Sequence, residues 1–411
     1  MKNILVFSAY YEPEVAASLY LSTNLYEDFA KNGWKVDLFV PMPTRGVDDT
    51  TRNTYKKKKE EVKGNLHIHR VSLMREGNNI LGRALRYLLM NVIFVWKGLT
   101  TKADAIFVQS TPPTQGAMAA IIKKFKKIPL VYNLQDIFPD SMISMGMTTE
   151  NSLVCKIGRV LEKFTYDNAD EIIVISNDMK RNLIRKGVQE NKISVVSNWI
   201  DIDKVYPIAK KDNYLFEKYE LDRHKFNVVY AGNLGFAQNI EVIIRAAKKM
   251  EDYPNLQFII FGKGAQENEY KKLAQELQVS NLTFLPIQPY SEVSYVYSLA
   301  DVSVVSCKKG FGGSAMPSKT WSIMATKTPI LASFDAETDM ENIITNENVG
   351  LFAEADNVEK LVENISILYS NRERLEKMGE NARQFVENNA SRYSCTNKYI
   401  KVIDSLIAKK K

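Results

Sequence analysis

Two doubly wound α/β domains are what the sequence predicts, and three observations predict them. Short β-branched runs alternate with helical patterns throughout, the signature of parallel strands joined by crossover helices. That rhythm stops once, in the polar, lysine-rich stretch "NWIDIDKVYPIAKKDNYLFEKYELDRHKF", and then starts again. At 411 residues the chain is also too long for one ordinary core and comfortable for two.

The opening "MKNILVFSAYY" has only a short apolar run before Glu12, Pro13 and Glu14, so it reads as a first strand and not a secretory signal. The strands that follow in the first half are "KVDLFV", "LHIHRV", "DAIFVQ", "PLVYNL", "EIIVIS" and "KISVVS". The linker falls at about residues 200 to 224. After it come "NVVYAGN", "LQFIIFG", "LTFLP", "DVSVVSC", "TPILAS" and "VGLFA", then helices and a basic tail. The expected division is residues 1–200, residues 201–385, and a terminal helix over 386–411 that packs back toward the first domain. Two such domains are expected to bind ligand in a cleft at the carboxyl ends of their sheets, so the residues that matter should sit just after strands.

Composition narrows the class. With 45% hydrophobic and 25% charged residues the chain is neither disordered nor fibrous. Cys155, Cys307 and Cys395 lie far apart, which fits a reducing cytoplasm better than a disulfide framework. The strongest membrane candidate, residues 80 to 99, has an unbroken apolar core only from Leu88 to Trp96, well short of the ~20 residues a span needs. It is either a buried amphipathic helix or one that lies on a bilayer. The net charge of +7 includes lysine runs in "YKKKKEEVK", "IIKKFKKIP" and "IAKKK", which suit anionic headgroups at the inner face of a membrane. Nucleic acid is not expected, because no recognition motif is present and aromatics do not interleave with the basic runs.

The loops after the second-domain strands carry the chemistry. In "GFGGSAMPSKTWS", residues 310 to 322, the segment from Gly313 is one residue away from a phosphate-binding P-loop, which needs glycine where Ser318 stands. Pro317 removes one N–H from such a nest, and no strand offers a magnesium-binding aspartate. Strand, glycine-rich loop (Gly312, Gly313) and helix still favour an anion at Ser318 and Lys319. The loops "YAGNLGFAQN" (Gly232, Asn233, Gly235, Gln238) and "FGKGAQE" (Gly262, Lys263) follow two neighbouring strands. Together the three loops describe a nucleotide-diphosphate pocket.

In the first domain, "YYEPEVAAS", "QSTPPTQG" and "NLQDIFPDS" follow strands, placing Glu12, Asp136 and Asp140 toward the ligand side. A turn or helix-start role is the plainer alternative for Asp136. His67, His69 and His224 assemble no triad and no metal set, so neither a metal nor a cofactor is expected beyond the substrate.

In their order, "STPP", "QDIFPDS", "NWID", "GNLGFAQN" and "MPSK" resemble the family 4 retaining glycosyltransferases of GT-B fold. More narrowly they resemble the bacterial N-acetyl-L-fucosamine transferases of O-antigen and capsule synthesis. The resemblance covers nearly the whole chain and implies several things. The donor would be a nucleotide-diphosphate sugar, UDP-linked by analogy, and the acceptor a lipid-diphosphate-linked saccharide at the inner membrane surface. The sugar would be transferred with retention, and Asp136 would act near the acceptor hydroxyl as base or orienter.

Two departures stand out. The Arg–Lys pair that usually grips the diphosphate is replaced by Asn233 and Gln238. The paired glutamates are replaced by Ser322 and a serine near position 314. Lys319 and Ser318 would then be a relocated diphosphate clamp. A UDP-N-acetylglucosamine 2-epimerase-like enzyme and a non-catalytic nucleotide-sugar binder are the alternatives.

Overall fold

In the computed structural model, residues 1–15, 19–77, 79–144, 146–314 and 316–409 are described. They form two compact units, one of residues 1–197 with 396–411, the other Asn198–Cys395.

The first unit is built on an eight-stranded sheet ordered β3-β4-β2-β1-β5-β6-β7-β8. Its strands are β1 (Asn3–Phe7), β2 (Lys35–Pro41), β3 (Glu60–Lys63), β4 (Leu66–Val71), β5 (Ala105–Gln109), β6 (Leu130–Leu134), β7 (Glu171–Val174) and β8 (Ile193–Val195). All neighbours run parallel except β3, which pairs antiparallel with β4. That edge strand, "EEVK", has no apolar signal, and its charges protect the sheet edge from further pairing. The central strands are buried on both faces, which is why β1, β5 and β6 read as continuous apolar runs. Serine caps start two of the flanking helices: Ser152 accepts from the Cys155 N–H and Ser176 from the Met179 N–H.

The second unit holds six parallel strands ordered β11-β10-β9-β12-β13-β14. They are β9 (Phe226–Asn233), β10 (Leu256–Lys263), β11 (Leu282–Leu285), β12 (Val302–Ser306), β13 (Ile330–Phe334) and β14 (Gly350–Glu354). The strand order reverses between β9 and β12, so the loops after those two strands are the ones the fold offers to a ligand.

Two boundaries differ from the sequence reading. The stretch at 200–224 is not a free linker, because Leu215 and Phe216 are fully buried against Val229, Ile259 and Phe261. Its polar residues are also engaged: Asn213 donates to Tyr295 O at 2.7 Å and Lys210 pairs with Asp301 at 2.5 Å. Polarity disguised a segment that packs by a few aromatic and aliphatic anchors. The terminal segment divides too. Residues 386–395 belong to the second unit, and the Arg392–Lys409 helix crosses to the first from Thr396 onward.

Candidate functional site

The site grows from the end of β9. The register sets Gly232 beside Gly262 and Asn233 beside Lys263 on β10. Two contacts tie the loop after β9 to the residues after β12: Ser306 Oγ donates to Gln238 O at 2.6 Å, and the Lys308 N–H to Ala237 O at 2.9 Å. Lys308 Nζ also stands 3.7 Å over the exposed Phe236 ring.

Lys319 opens the Lys319–Ala325 helix. Thr320 to Ala325 are all buried, with Trp321 at 1% exposure, so the helix is anchored and the direction of Lys319 is fixed. Its Nζ lies 3.9 Å from the centroid of the buried Tyr230 ring, a cation–π contact. A Cβ at residue 232 would stand 2.7 Å from that Nζ, and Gly232 has φ +146°. The backbone geometry therefore calls for glycine there, and a side chain would have to push the ammonium aside.

Among the described residues no carboxylate pairs with Lys319. Part of the residue stays accessible, but its ammonium end is enclosed, and that loss of hydration lowers its pKa to about 7. An enclosed cation with only a ring face for company is stabilised by any anion delivered to it.

The glycine loop is held by the protein itself. Gly310 N–H donates to both oxygens of Asp335 at 2.9 Å, and Gly312 N–H to Oδ2 at 2.7 Å. The Gly312 amide is therefore occupied, and Gly313 is exposed with open space around it. Thr320, the last residue of the near-P-loop, is fully buried, whereas a P-loop needs that hydroxyl facing magnesium. Ser318, by contrast, is exposed at the helix start.

Asn233 Nδ2 donates to Gln238 Oε1 at 3.1 Å across Gly235, so these two expected ligand groups satisfy each other. Gly264 lets this loop pack, since a Cβ there would meet Leu234 O at 2.4 Å. Lys263 is exposed at the strand end, Gly262 is buried beneath Leu234, and Ser322 is buried within its helix.

In the first unit the expected carboxylates are engaged with different partners. Asp140 pairs with Arg159 at 2.5 Å and Lys186 at 2.8 Å. Burial pushes its carboxyl up, and the two cations more than offset this, leaving it below its ordinary value. It is a clamp between the loop and two helices. Asp136 is exposed and accepts from Ser141 Oγ at 2.9 Å. Partial loss of hydration and then Asp140 raise its carboxyl, opposed by Ser141 and the Ile137 N–H. Glu12 sits on the surface 3.4 Å from Lys63. Residues 16–18 of the expected ligand loop lie outside the described residues.

Three groups escaped the sequence reading. Glu14 is buried and accepts from the Thr44, Arg45 and Tyr11 N–H groups at 2.8, 3.0 and 3.3 Å. Tyr230 and Asp335 are set by strand register and loop closure. The only signal for those two was position: Tyr230 two residues before Gly232 at the end of β9, and Asp335 directly after β13.

Comparisons with known proteins agree with this layout. Residues 21–199 match the glycosyl transferase 4-like domain and residues 212–385 match glycosyl transferases group 1. The probable glycosyltransferase WbjE of Pseudomonas aeruginosa is 25% identical over 340 residues, 81% of this chain and 83% of that protein. The putative colanic acid biosynthesis glycosyl transferase WcaI of Escherichia coli is 27% identical over 249 residues, 60% of this chain and 61% of that one. In Campylobacter jejuni, the N,N'-diacetylbacillosaminyl-diphospho-undecaprenol alpha-1,3-N-acetylgalactosaminyltransferase is 24% identical over 309 residues, 73% of this chain and 77% of that protein.

Among solved structures, Anabaena Alr3699/HepE in complex with UDP superposes with a TM-score of 0.73 at 14% identity, covering 98% of this chain and 100% of that one. Sucrose-phosphate synthase from Thermosynechococcus elongatus gives 0.71 at 17% identity over the full length of both. With two parallel-sheet domains of GT-B type, a glycosyl transferase 4-like domain followed by a group 1 domain, the chain belongs to the glycosyltransferases.

Proposed function

We propose that the protein transfers a sugar from a UDP-linked donor, an N-acetylated amino sugar of the N-acetylfucosamine kind, to a lipid-diphosphate-linked saccharide at a membrane surface during surface-polysaccharide synthesis. The observation that carries the reading is Lys319: a cation enclosed at the sheet's reversal point, without a carboxylate partner among the described residues, beside a glycine whose missing side chain leaves room for the ammonium.

Glycosyl transfer builds negative charge on the departing β-phosphate, and a fixed positive charge there gives the largest assistance. Lys319 and the N–H groups of Ser318 and Lys319 supply it, so the reading needs no metal. The bond from the anomeric carbon to the phosphate oxygen breaks, and the acceptor oxygen bonds to the same face of that carbon. Attack on that face gives retention, and the acceptor proton passes to the leaving phosphate. Asp136, exposed on its strand-end loop, orients the acceptor hydroxyl. Support for the donor comes from the UDP in the Alr3699/HepE complex, and for the acceptor from the diphospho-undecaprenol in the name of the Campylobacter relative.

Thermal unfolding with UDP, GDP, ADP, CMP and ATP tests this. A nucleotide at ~100 times its dissociation constant adds ~2.7 kcal/mol. UDP alone should stabilise the wild type and fail with Lys319→Met. Stabilisation by ATP in place of UDP would sink the reading.

A further inference from the structure

On one side of the sheet in the first unit, three helices carry apolar side chains that stay exposed. The Ile80–Thr100 helix packs on the Thr114–Lys126 helix, which packs on the Leu153–Asn168 helix. Met90 and Phe94 of the first, Met118 and Ile122 of the second and Tyr166 of the third enter one core, so all three cover the same side of the sheet.

Their outward faces are unlike ordinary surface helices. On the first, Leu85, Leu88, Leu89, Val92, Trp96 and Leu99 are exposed, and their spacing of three and four residues makes a single stripe along the helix. The third repeats it with Leu153, Val154, Ile157 and Val160, and the middle helix adds Ile121 and Phe125, the last at 73% exposure. The first two helices contain no aspartate or glutamate. Lys97, Lys124 and Lys126 on them have no carboxylate partner among the described residues; Lys97 lies over the Trp96 ring and Lys124 over Phe164.

We propose that this three-helix face rests on an anionic lipid bilayer, the apolar stripes entering the acyl boundary and the lysines meeting the headgroups. The proposal deepens the lipid-linked-acceptor reading and rests on it. No helix among the described residues is long and apolar enough to cross a membrane, so the contact lies in the plane of the interface. Charge argues against a second copy as occupant: a two-fold pairing of this face would bring two lysine-bearing surfaces together, with no aspartate or glutamate on the first two helices to meet them.

One reporter is built in. Trp96 is 60% exposed, whereas Trp34, Trp199 and Trp321 are buried, so a change in tryptophan emission on binding reports this face. The intact 411-residue chain is titrated with phosphatidylglycerol vesicles and, separately, with phosphatidylcholine vesicles. We expect a blue shift and co-flotation with the anionic vesicles, weakened by salt. The double variant Leu88→Ser/Val92→Ser changes two exposed side chains and should lower vesicle partitioning roughly tenfold or more. It should leave thermal stability and the UDP-induced shift intact.

Unchanged Trp96 emission with anionic vesicles overturns the proposal, as does equal binding by the double variant. A dimer that the variant dissolves, without vesicle binding, assigns the face to a second copy. Because UDP stabilisation is measured on the same samples, its failure counts against the donor-site reading alone.

Discussion

Asp140 and Lys319 are both desolvated charges at a helix start in a strand-to-helix connection, one in each unit, and the protein treats them in opposite ways. Asp140 is met by Arg159, Lys186 and Asn182, so its charge is stabilised and its carboxyl stays ionised. Lys319 is given a tyrosine ring and no counter-ion among the described residues, and its pKa falls to about 7. Asp140 has its charge completed inside the fold. Lys319 does not, which is destabilising in the free protein, and under the proposed function a bound diphosphate would complete it.

The contrast breaks most sharply at Lys319 itself. Lys319→Met keeps the length and packing of the stem, so it should raise the stability of the free protein while removing the response to UDP. If Lys319 holds the departing diphosphate, transfer should fall by roughly 10²–10³-fold, the size of effect a preorganised charge commonly has. Unfolding curves and steady-state rates on the same preparation decide it. A variant that still answers UDP places the diphosphate elsewhere.

Proton linkage is the next largest effect. Below pH 7 both the folded and the unfolded chain carry the Lys319 proton, and the folded state bears the whole cost of enclosing it. Between about 7 and the ordinary value of 10.5 only the unfolded chain keeps the proton, so stability climbs with pH. The gain is on the order of 3 kcal/mol, read as the difference between wild type and Lys319→Met at pH 7 and pH 10. Bound UDP should restore the ammonium, so at pH 8 binding takes up about one proton, measured from calorimetric heats in buffers of different ionisation enthalpy.

Gly232→Ala sharpens the contrast from the backbone side. With φ +146° and Lys319 Nζ within 2.7 Å of the new methyl, the substitution strains the chain and displaces the ammonium. It should cost about 1–3 kcal/mol of stability and weaken UDP binding as well. Loss of stability with unchanged UDP affinity would mean that the ammonium position is not critical.

How much of this was legible in the sequence depended on range. The alternation of strands and helices, and the glycine loops at strand ends, are local patterns, and "YAGNLG" or "FGKG" shows the loops directly. The partners were not legible. Nothing in "PDS" says that Asp140 meets Arg159 and Lys186, because those contacts are made by helices some 20 and 46 positions onward. Asp335 holds a loop 23 to 25 residues before it, and the Asn233–Gln238 pair is hidden in a turn whose closure is three-dimensional. The packed stretch around Leu215 and Phe216 was obscured because charged neighbours dominate its composition.

Asp140→Asn is the smallest of these effects and the most discriminating. Both cations that meet Asp140 reach solvent, with Arg159 at 39% and Lys186 at 21% side-chain exposure, so screening limits the loss to about 1–2 kcal/mol. The wild-type contribution is present above the ordinary aspartate value near 4 and disappears as acid protonates the lowered carboxyl, so the two proteins should converge in stability below about pH 4. The UDP-induced shift should be unchanged, since Asp140 is spent on Arg159 and Lys186. If Asp140→Asn instead leaves stability intact and slows transfer to the acceptor, the paired carboxylate has a second duty at the acceptor, and a charge completed by the fold can still belong to the site.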